Sequence, residues 1–530
     1  MRRAAIVIAL ALMISPTGPL EAQRSLDDAF RVFWNANDAS QAAAAAEAIT
    51  RLAPSFDDAF QRLRRGRTYS ADVAKGVVRA SHEMGGRTFA YAIEVPEAYD
   101  PARRYQVRFQ LHGGVGRPEA ALRGSGSIGA LAGAEQIYVM PAAWDDAPWW
   151  GGAQLENLRL VLDRVKRTYN VDENRVVVSG VSDGGTGAYY VGMRDTTPYA
   201  GFLPLNGFIM ILANPSVGIR EQLFPNNLRN KPFFVVNGGR DQLYPTSLVD
   251  PIIRHLQNGG VALTYRPQPE GQHNTAWWPD VKDVFEQFVR EHPRDPYPAR
   301  LTWETEGADG APARAESRAL ARAESRAHWV RIDRVRPRGA EEPLADLNEI
   351  TSGTSPNFGV RATGMRITSV MKGSNADALG LLPGDVVEGV NGRVIPDGVP
   401  LLDLLETVDA GTRMVLKVRR DASSLELAGV FQPQSVANTV SLFPRPRGSG
   451  RVDLVRDGNT VRATTRGVAA FTLLLSPDVF DFAKPVVVVA DGRTVFEGPV
   501  KKDVETLMRW AARDNDRTML FGAEIAVSVP

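Results

Sequence analysis

Three residue types that together carry out acyl transfer occur in this sequence, each in a loop after a predicted strand. Ser182 stands within Gly180-Val181-Ser182-Asp183-Gly184, which fits the pattern G-x-S-x-G. Asp241 follows in the loop NGGRDQLYP, and His273 follows in EGQHNTAWWP. Acyl transfer needs a nucleophile, a base that takes its proton and an acid that orients the base. The chain order therefore predicts Ser182 as nucleophile, His273 as base and Asp241 as the acid.

Two of these residues have a plainer interpretation. Asp241 could cap the helix after it, because Asp is a favoured N-cap residue. His273 could be a surface histidine, although the chain has only six and this one falls in the expected loop. The other candidates fit less well: His255 lies in a predicted helix, His82 before the first long strand, His292 after the last helix and His328 beyond the predicted domain.

An oxyanion needs backbone donors close to the nucleophile. We predict that the N–H of Asp183 supplies one donor and that the loop at Gly113 and Gly114, after the strand YQVRFQL, supplies another. Glycine permits the close backbone approach that such a donor needs. His112 is expected to orient this loop rather than to take part in the chemistry.

The elements around Ser182 explain why glycines flank it. The run Val176–Val178 predicts a short buried strand, and a helix is predicted over Thr186–Arg194. A serine on so sharp a strand-to-helix turn has strained backbone angles, and side chains two positions away would collide with neighbouring elements. The dipole of the following helix favours a developing oxyanion.

Strands alternate with helices over residues 76–298, which predicts an α/β domain with a mostly parallel, doubly wound sheet. An antiparallel hairpin is expected at its edge, where Gly76–Val78 and Arg87–Pro96 alternate in hydrophobicity. Residues 25–75 are Ala-rich and predict two helices broken near Pro54.

The segments LHGG, GVSDGG, NGGRD and GQHNT, in this order, resemble secreted α/β-hydrolase serine esterases of the polyhydroxybutyrate-depolymerase and feruloyl-esterase kind. They are also similar to the catalytic domains of prolyl-oligopeptidase-type serine peptidases. The run GGRTFAYAIEVPEAYDP resembles the esterase entry hairpin more, and no propeller is evident ahead of it. The resemblance implies hydrolysis of carboxylic esters without a cofactor. A serine peptidase, or a binding scaffold with an inactive hydrolase domain, remains the alternative.

Five of the nine tryptophans fall in two loops expected to flank the site. Aromatic side chains there would suit a planar or sugar-linked ester substrate, whereas packing beneath the loops is the alternative role. These candidate pocket residues are Trp144, Trp149, Trp150, Trp277 and Trp278.

A second compact module is predicted over residues 344–430, and 355–420 resemble a PDZ domain. Its predicted carboxylate-binding loop is Phe358-Gly359-Val360, and a helix from Leu401 to Asp409 would form the other wall of the groove. The resemblance implies an extended peptide that adds a strand and leaves its C-terminal carboxylate at the loop. Alternatively, the groove is empty and the module only packs.

The rest of the chain divides by composition. Residues 1–22 have the layout of a signal peptide cut near Ala22, which predicts export to a periplasm or the cell exterior, with an uncleaved anchor as the alternative. Residues 299–343 form a linker with the repeated segment ARAESRA, and residues 431–530 predict a β-sandwich. Strand-like pieces before the PDZ-like module match those after it. We therefore hypothesise that the module is inserted into the C-terminal β-domain.

The overall composition narrows the function classes. A length of 530 residues predicts three or four domains. A formal net charge of +1 gives no argument for a nucleic-acid partner. The chain has no cysteine and six histidines without metal-ligand spacing, so we expect neither structural zinc nor another metal. After signal cleavage we expect no transmembrane span, because no later apolar run is long enough.

Overall fold

The structure is a computed structural model that describes residues 19–116, 131–306, 325–337, 346–395, 401–405 and 408–529. These residues form two compact units, one of 1–348 with 443–530 and one of 349–442. The predicted signal peptide up to residue 18 and most of the repeated ARAESRA segment lie outside the described residues. Within the described ranges, no helix has both the length and the apolar character that a bilayer span requires.

The helices and strands are numbered in chain order. The α-helices of the described residues are α1 (Pro19–Trp34), α2 (Ala39–Arg51), α3 (Phe56–Arg65), α4 (Gly152–Thr168), α5 (Asp183–Arg194), α6 (Thr246–Asn258), α7 (Trp278–Glu291), α8 (Asn375–Ala378), α9 (Leu401–Leu405) and α10 (Val504–Asp514). The strands of the first unit before the PDZ-like segment are β1 (Gly76–Met84), β2 (Arg87–Val95), β3 (Tyr105–Leu111), β4 (Ile137–Pro141), β5 (Val171–Val181), β6 (Gly201–Leu205), β7 (Phe233–Val235), β8 (Leu263–Tyr265), β9 (Arg300–Thr305), β10 (Arg326–Ala327) and β11 (Val330–Val335). The second unit holds β12 (Glu349–Asn357), β13 (Val360–Thr363), β14 (Arg366–Val370), β15 (Val386–Val390), β16 (Arg393–Val394), β17 (Arg413–Arg420), β18 (Ser423–Val430) and β19 (Gln434–Ser441). The first unit continues with β20 (Gly450–Asp457), β21 (Thr460–Arg466), β22 (Val468–Leu475), β23 (Val486–Ala490), β24 (Arg493–Gly498) and β25 (Ala523–Ser528).

An eight-stranded sheet with the order β1-β2-β4-β3-β5-β6-β7-β8 forms the centre of the first unit. β1, β2 and β4 pair antiparallel, and the strands from β4 to β8 run parallel. This order, with helices in the crossovers, is the α/β-hydrolase fold. The parallel strands are buried because helices cover both faces, so β3, β4 and β6 consist almost entirely of buried residues.

The N-terminal segment forms three helices, where the sequence periodicity predicts two. The chain breaks before Pro54 as expected, and it also breaks at Asn35–Asp38. The side chain of Asp38 accepts a hydrogen bond from Gln41 N at 2.8 Å and so caps α2. The apolar faces of α1, α2 and α3 share one buried cluster with α10.

The C-terminal part of the first unit contains two sheets around one apolar core. Their orders are β24-β23-β21-β20-β9 and β10-β11-β22-β25. Both sheets contribute buried side chains to the same cluster, including Trp303 and Trp329, as in a β-sandwich. β9 and β11, which precede the second unit in sequence, pair with β20 and β22, which follow it. The sandwich is therefore built from strands that precede the second unit in sequence and strands that follow it.

The chain leaves and re-enters the first unit at two residues that contact each other. The Asn348 side chain donates to the carbonyl of Phe443 at 2.9 Å and accepts from its N–H at 3.0 Å.

The second unit is a PDZ-like α+β domain. Its main sheet has the order β13-β14-β15-β17-β18, with β16 paired to β15, and β12 pairs separately with β19. The predicted module spans residues 344–430, and the compact unit of the structure spans 349–442. The unit extends to Leu442 because of the pairing of β19 with β12, which runs from Glu349–Ser441 to Asn357–Gln434.

Candidate active site

Ser182 lies on a sharp turn between β5 and α5. Its backbone angles are φ 56° and ψ −117°, which a residue with a side chain rarely adopts. The Ser182 N–H donates to the carbonyl of Leu205 at 2.8 Å, which fixes the turn against the next strand. A Cβ on Gly184 would overlap the carbonyl of Leu111, and one on Gly180 would overlap the carbonyl of Gly184. Only glycine fits at these two positions.

Ser182, His273 and Asp241 form a continuous set of hydrogen bonds. His273 Nε2 lies 2.8 Å from Ser182 Oγ, and His273 Nδ1 lies 2.7 Å from Asp241 Oδ2. A carboxylate can only accept, so Nδ1 carries the proton and Nε2 is left to accept from the serine hydroxyl. This arrangement can make the hydroxyl oxygen nucleophilic.

The Asp241 side chain is fully buried, while about a quarter of the His273 side chain is exposed. The second carboxylate oxygen of Asp241 accepts from the backbone N–H groups of Leu243 at 2.8 Å and Tyr244 at 3.0 Å. These donors compensate the buried charge and fix the orientation of the carboxylate. The Tyr244 ring packs edge-on against the imidazole at 5.5 Å between centroids.

The loop after β3 approaches the turn that carries Ser182. A Cβ on Gly113 would lie 3.0 Å from Ser182 Cβ, and Gly114 has a φ of +66°. Asp183 is the first residue of α5, so its N–H is free of the helical hydrogen-bond ladder. Gly113 and Asp183 therefore lie at the nucleophile, where donors for an oxyanion are needed, and Gly114 follows Gly113 in the same loop.

His112 takes part in holding this loop. Its Nε2 accepts from Ala143 N at 3.0 Å, and its carbonyl accepts from Trp149 Nε1 at 2.9 Å. The two contacts join the start of the loop to the segment after β4.

Four of the five predicted pocket tryptophans are buried. The Nε1 groups of Trp150 and Trp278 donate to the carbonyls of Val217 and Ala132, at 3.2 and 3.1 Å. Trp277 and Trp278 belong to the apolar cluster beneath the sheet, and Trp149 packs over Gly187 of α5. Only Trp144 is half-buried, with its ring against Phe89. These contacts are those of loop packing, and a role of the five tryptophans in a substrate pocket stays a prediction.

Sequence reasoning missed two features of the site. The backbone donors to Asp241 lie within three residues of it, and an Asp followed by a turn is the signal that could have revealed them. The Asp183 side chain accepts from Val115 N at 3.0 Å across 68 positions of the sequence, and no local pattern predicts that contact.

The predicted carboxylate loop of the second unit lies at one end of β13. The Phe358 side chain is buried in the core of the unit, and its carbonyl accepts from Ala376 N at 3.0 Å. Gly359 has a φ of +89°, and its carbonyl accepts from Met371 N at 2.8 Å. Val360 begins β13, an edge strand of the main sheet of this unit. An edge strand can accept an added peptide strand.

No group of three or more metal-ligating side chains occurs in the part of the chain that the structure describes.

Comparison with known proteins identifies one family by sequence, the PDZ domain, at residues 366–420. No curated protein sequence matches the chain. Among solved structures, a thermostable esterase is 18% identical with a TM-score of 0.34, and the match covers 41% of this chain and 63% of the esterase. A ferulic acid esterase is 17% identical with a TM-score of 0.31, over 40% of this chain and 97% of the other. S-formylglutathione hydrolase from Staphylococcus aureus is 18% identical with a TM-score of 0.31, over 41% of this chain and 99% of the other. Structural likenesses this weak say nothing about the function of this chain.

Proposed function

We propose that this α/β-hydrolase-fold protein is a serine hydrolase that cleaves carboxylic esters. The observation that supports the proposal is the pair of hydrogen bonds that joins Asp241 to His273 and His273 to Ser182, at 2.7 and 2.8 Å. A structural role alone would not require a strained serine, a histidine and a fully buried carboxylate in this order.

In the proposed reaction, Ser182 Oγ attacks the acyl carbon while His273 Nε2 takes its proton. The carbonyl oxygen becomes an oxyanion, which the N–H of Asp183 and a donor at Gly113 or Gly114 stabilise. The bond to the leaving alcohol then breaks, and the alcohol takes the proton from His273. Asp241 keeps the imidazole oriented and stabilises its positive charge.

An acyl-enzyme on Ser182 remains after the alcohol leaves. Water then attacks the acyl carbon, gives a proton to His273 Nε2, and the acid departs as the proton returns to Ser182. Every proton transfer uses a group already present in the triad, so the proposed reaction needs no cofactor.

The test uses a fluorophosphonate probe, which reacts with an activated serine. Wild type is expected to be labelled, Ser182→Ala to lose the label, and Ser247→Ala, which removes an exposed serine near the Asp241 loop, to keep it. If wild type does not react although it is folded, the hydrolase proposal fails and the domain is an inactive scaffold.

The substrate class is tested with p-nitrophenyl acyl esters beside aminoacyl anilides. The proposed esterase should hydrolyse esters with a kcat/KM far above that for any anilide. A strong preference among the anilides would instead identify a prolyl-oligopeptidase-type serine peptidase.

We further propose that the protein is exported to a periplasm or the cell exterior and that the PDZ-like unit binds a peptide C-terminus. The apolar run of residues 4–14 supports export, and the edge position of β13 supports peptide binding. Export would be tested by fusing residues 1–30 to a reporter that is active only outside the cytoplasm. Binding would be tested with a library of free and C-terminally amidated peptides, of which only the free acids should bind.

A further inference from the structure

The side chain of Asp183 joins the two halves of the region where an oxyanion would form. Asp183 follows Ser182 directly and begins α5. Its Oδ2 accepts a hydrogen bond of 3.0 Å from the backbone N–H of Val115. Val115 follows Gly113 and Gly114 in the loop after β3, so the carboxylate links that loop to the helix.

In the described part of this loop, residues 112–116, hydrogen bonds to other segments involve His112 and Val115. Gly113 and Gly114 have no side chains, and Gly114 adopts a φ of +66°, a conformation open to glycine at little steric cost. The contacts of His112 with Ala143 and Trp149 hold the start of the loop, and His112 Nδ1 lies 3.1 Å from the Gly113 carbonyl oxygen. Among the described residues, the bond from Val115 to Asp183 attaches the other end of the segment 112–116 to the nucleophile turn.

Both backbone donors must lie within hydrogen-bond distance of the same oxyanion, so the distance between the two segments that carry them determines how well it is stabilised. One donor belongs to α5 and the other to the loop, and these segments are far apart in sequence. Removal of a single oxyanion donor in other hydrolases costs about 10²–10³ in kcat, so a small displacement of the loop has a large effect.

We propose that the Asp183 carboxylate is a positioning residue that fixes the loop at Gly113 and Gly114 to the nucleophile turn. The inference rests on the proposed function of Ser182 and extends it to a side chain outside the triad. Its role is to accept the Val115 N–H and not to contact the substrate.

The negative charge of Asp183 works against the oxyanion that its own N–H would stabilise. This charge also acts on Tyr244, whose pKa is raised first by burial and then by the carboxylates of Asp183 and Asp241. An asparagine keeps an oxygen acceptor for Val115 but carries no charge. The acceptor and the charge can therefore be separated by substitution.

The experiment compares Asp183→Ala with Asp183→Asn. Asp183→Ala should lower kcat about tenfold or more with KM changed less than about threefold, because the lost contact acts in the transition state. Asp183→Asn should restore kcat to about the wild-type value or above it. The matched control is Asp145→Ala, since Asp145 lies beside Gly116 but accepts no hydrogen bond from the described part of the loop.

A second measurement does not depend on turnover. Deuterium uptake of the peptide that spans residues 111–116 should rise in Asp183→Ala and stay at the wild-type level in Asp183→Asn. Equal kcat values for the alanine variant and wild type, or equal losses in the alanine and asparagine variants, would overturn the inference. If folded wild type hydrolyses no ester, the proposed function fails. The positioning role is tested separately, because unchanged deuterium uptake in Asp183→Ala would overturn it whatever the activity.

Discussion

Replacement of Asp241 by asparagine isolates the effect of histidine orientation. One carboxylate oxygen of Asp241 accepts from Leu243 N and Tyr244 N, and the other faces His273 Nδ1 at 2.7 Å. In Asp241→Asn the amide oxygen must stay with the two backbone donors. The amide NH₂ then faces the imidazole.

An NH₂ group can only donate, so Nδ1 of His273 must accept and its proton must move to Nε2. That nitrogen then cannot take the proton of Ser182. The same substitution in a serine protease triad lowers kcat about 10⁴-fold through the wrong tautomer. We expect a similar loss here, which corresponds to about 5.5 kcal/mol of transition-state stabilisation.

The assay is steady-state hydrolysis of a p-nitrophenyl ester, with thermal unfolding measured in parallel. Asn has nearly the size of Asp, so the unfolding temperature should change little while kcat falls. Asp241→Ala serves as a comparison, because it removes the carboxylate without placing an amide NH₂ opposite His273 Nδ1. If Asp241→Asn keeps more than about a tenth of wild-type kcat, the backbone donors do not fix the amide and the argument is wrong.

The remaining predictions concern stability. His328 is fully buried, and burial, then Lys231 and Arg294, hold its pKa well below the usual range. Below about pH 6.5 the unfolded chain therefore binds a proton that the folded chain does not, and stability should fall by up to about 1.4 kcal/mol per pH unit. His328→Asn, which tolerates the φ of +47° at this position, should flatten the urea midpoints measured between pH 7 and 5.5; an unchanged slope would contradict the assignment. Gly184→Ala should prevent folding or lower the unfolding temperature sharply, because a Cβ there overlaps a backbone carbonyl, whereas Gly151→Ala makes only an ordinary contact and should cost less than about 1 kcal/mol. Equal thermal stability of the two glycine variants would show that the turn can relax.

Much of the site is predictable because it lies in local patterns. Ser182, Asp241 and His273 each follow a strand of the parallel sheet, and the carboxyl ends of such strands meet at one edge. The glycines around Ser182 are also predictable from the local sequence. The steric conflict they avoid is a property of the turn itself.

Contacts between distant segments are not predictable in this way. The bond between Val115 and Asp183 depends on how a loop and a helix meet after folding. The burial of the tryptophans is not predictable either, because the sequence of a loop does not say whether an aromatic side chain packs inward or faces a pocket. The pairing of β12 with β19 joins segments separated by the whole PDZ-like sheet, so no local pattern predicts that the second unit extends to Leu442.

The contact of Asn348 with Phe443 makes the second unit a natural insertion. The first unit continues across this contact, and its strands β9 and β11 pair with β20 and β22 of the same unit. When the two residues that flank an inserted module already contact each other, the module can be gained, lost or exchanged without distorting the domain that carries it. The second unit can therefore differ in sequence or in ligand while the hydrogen bond between Ser182 and His273 stays the same.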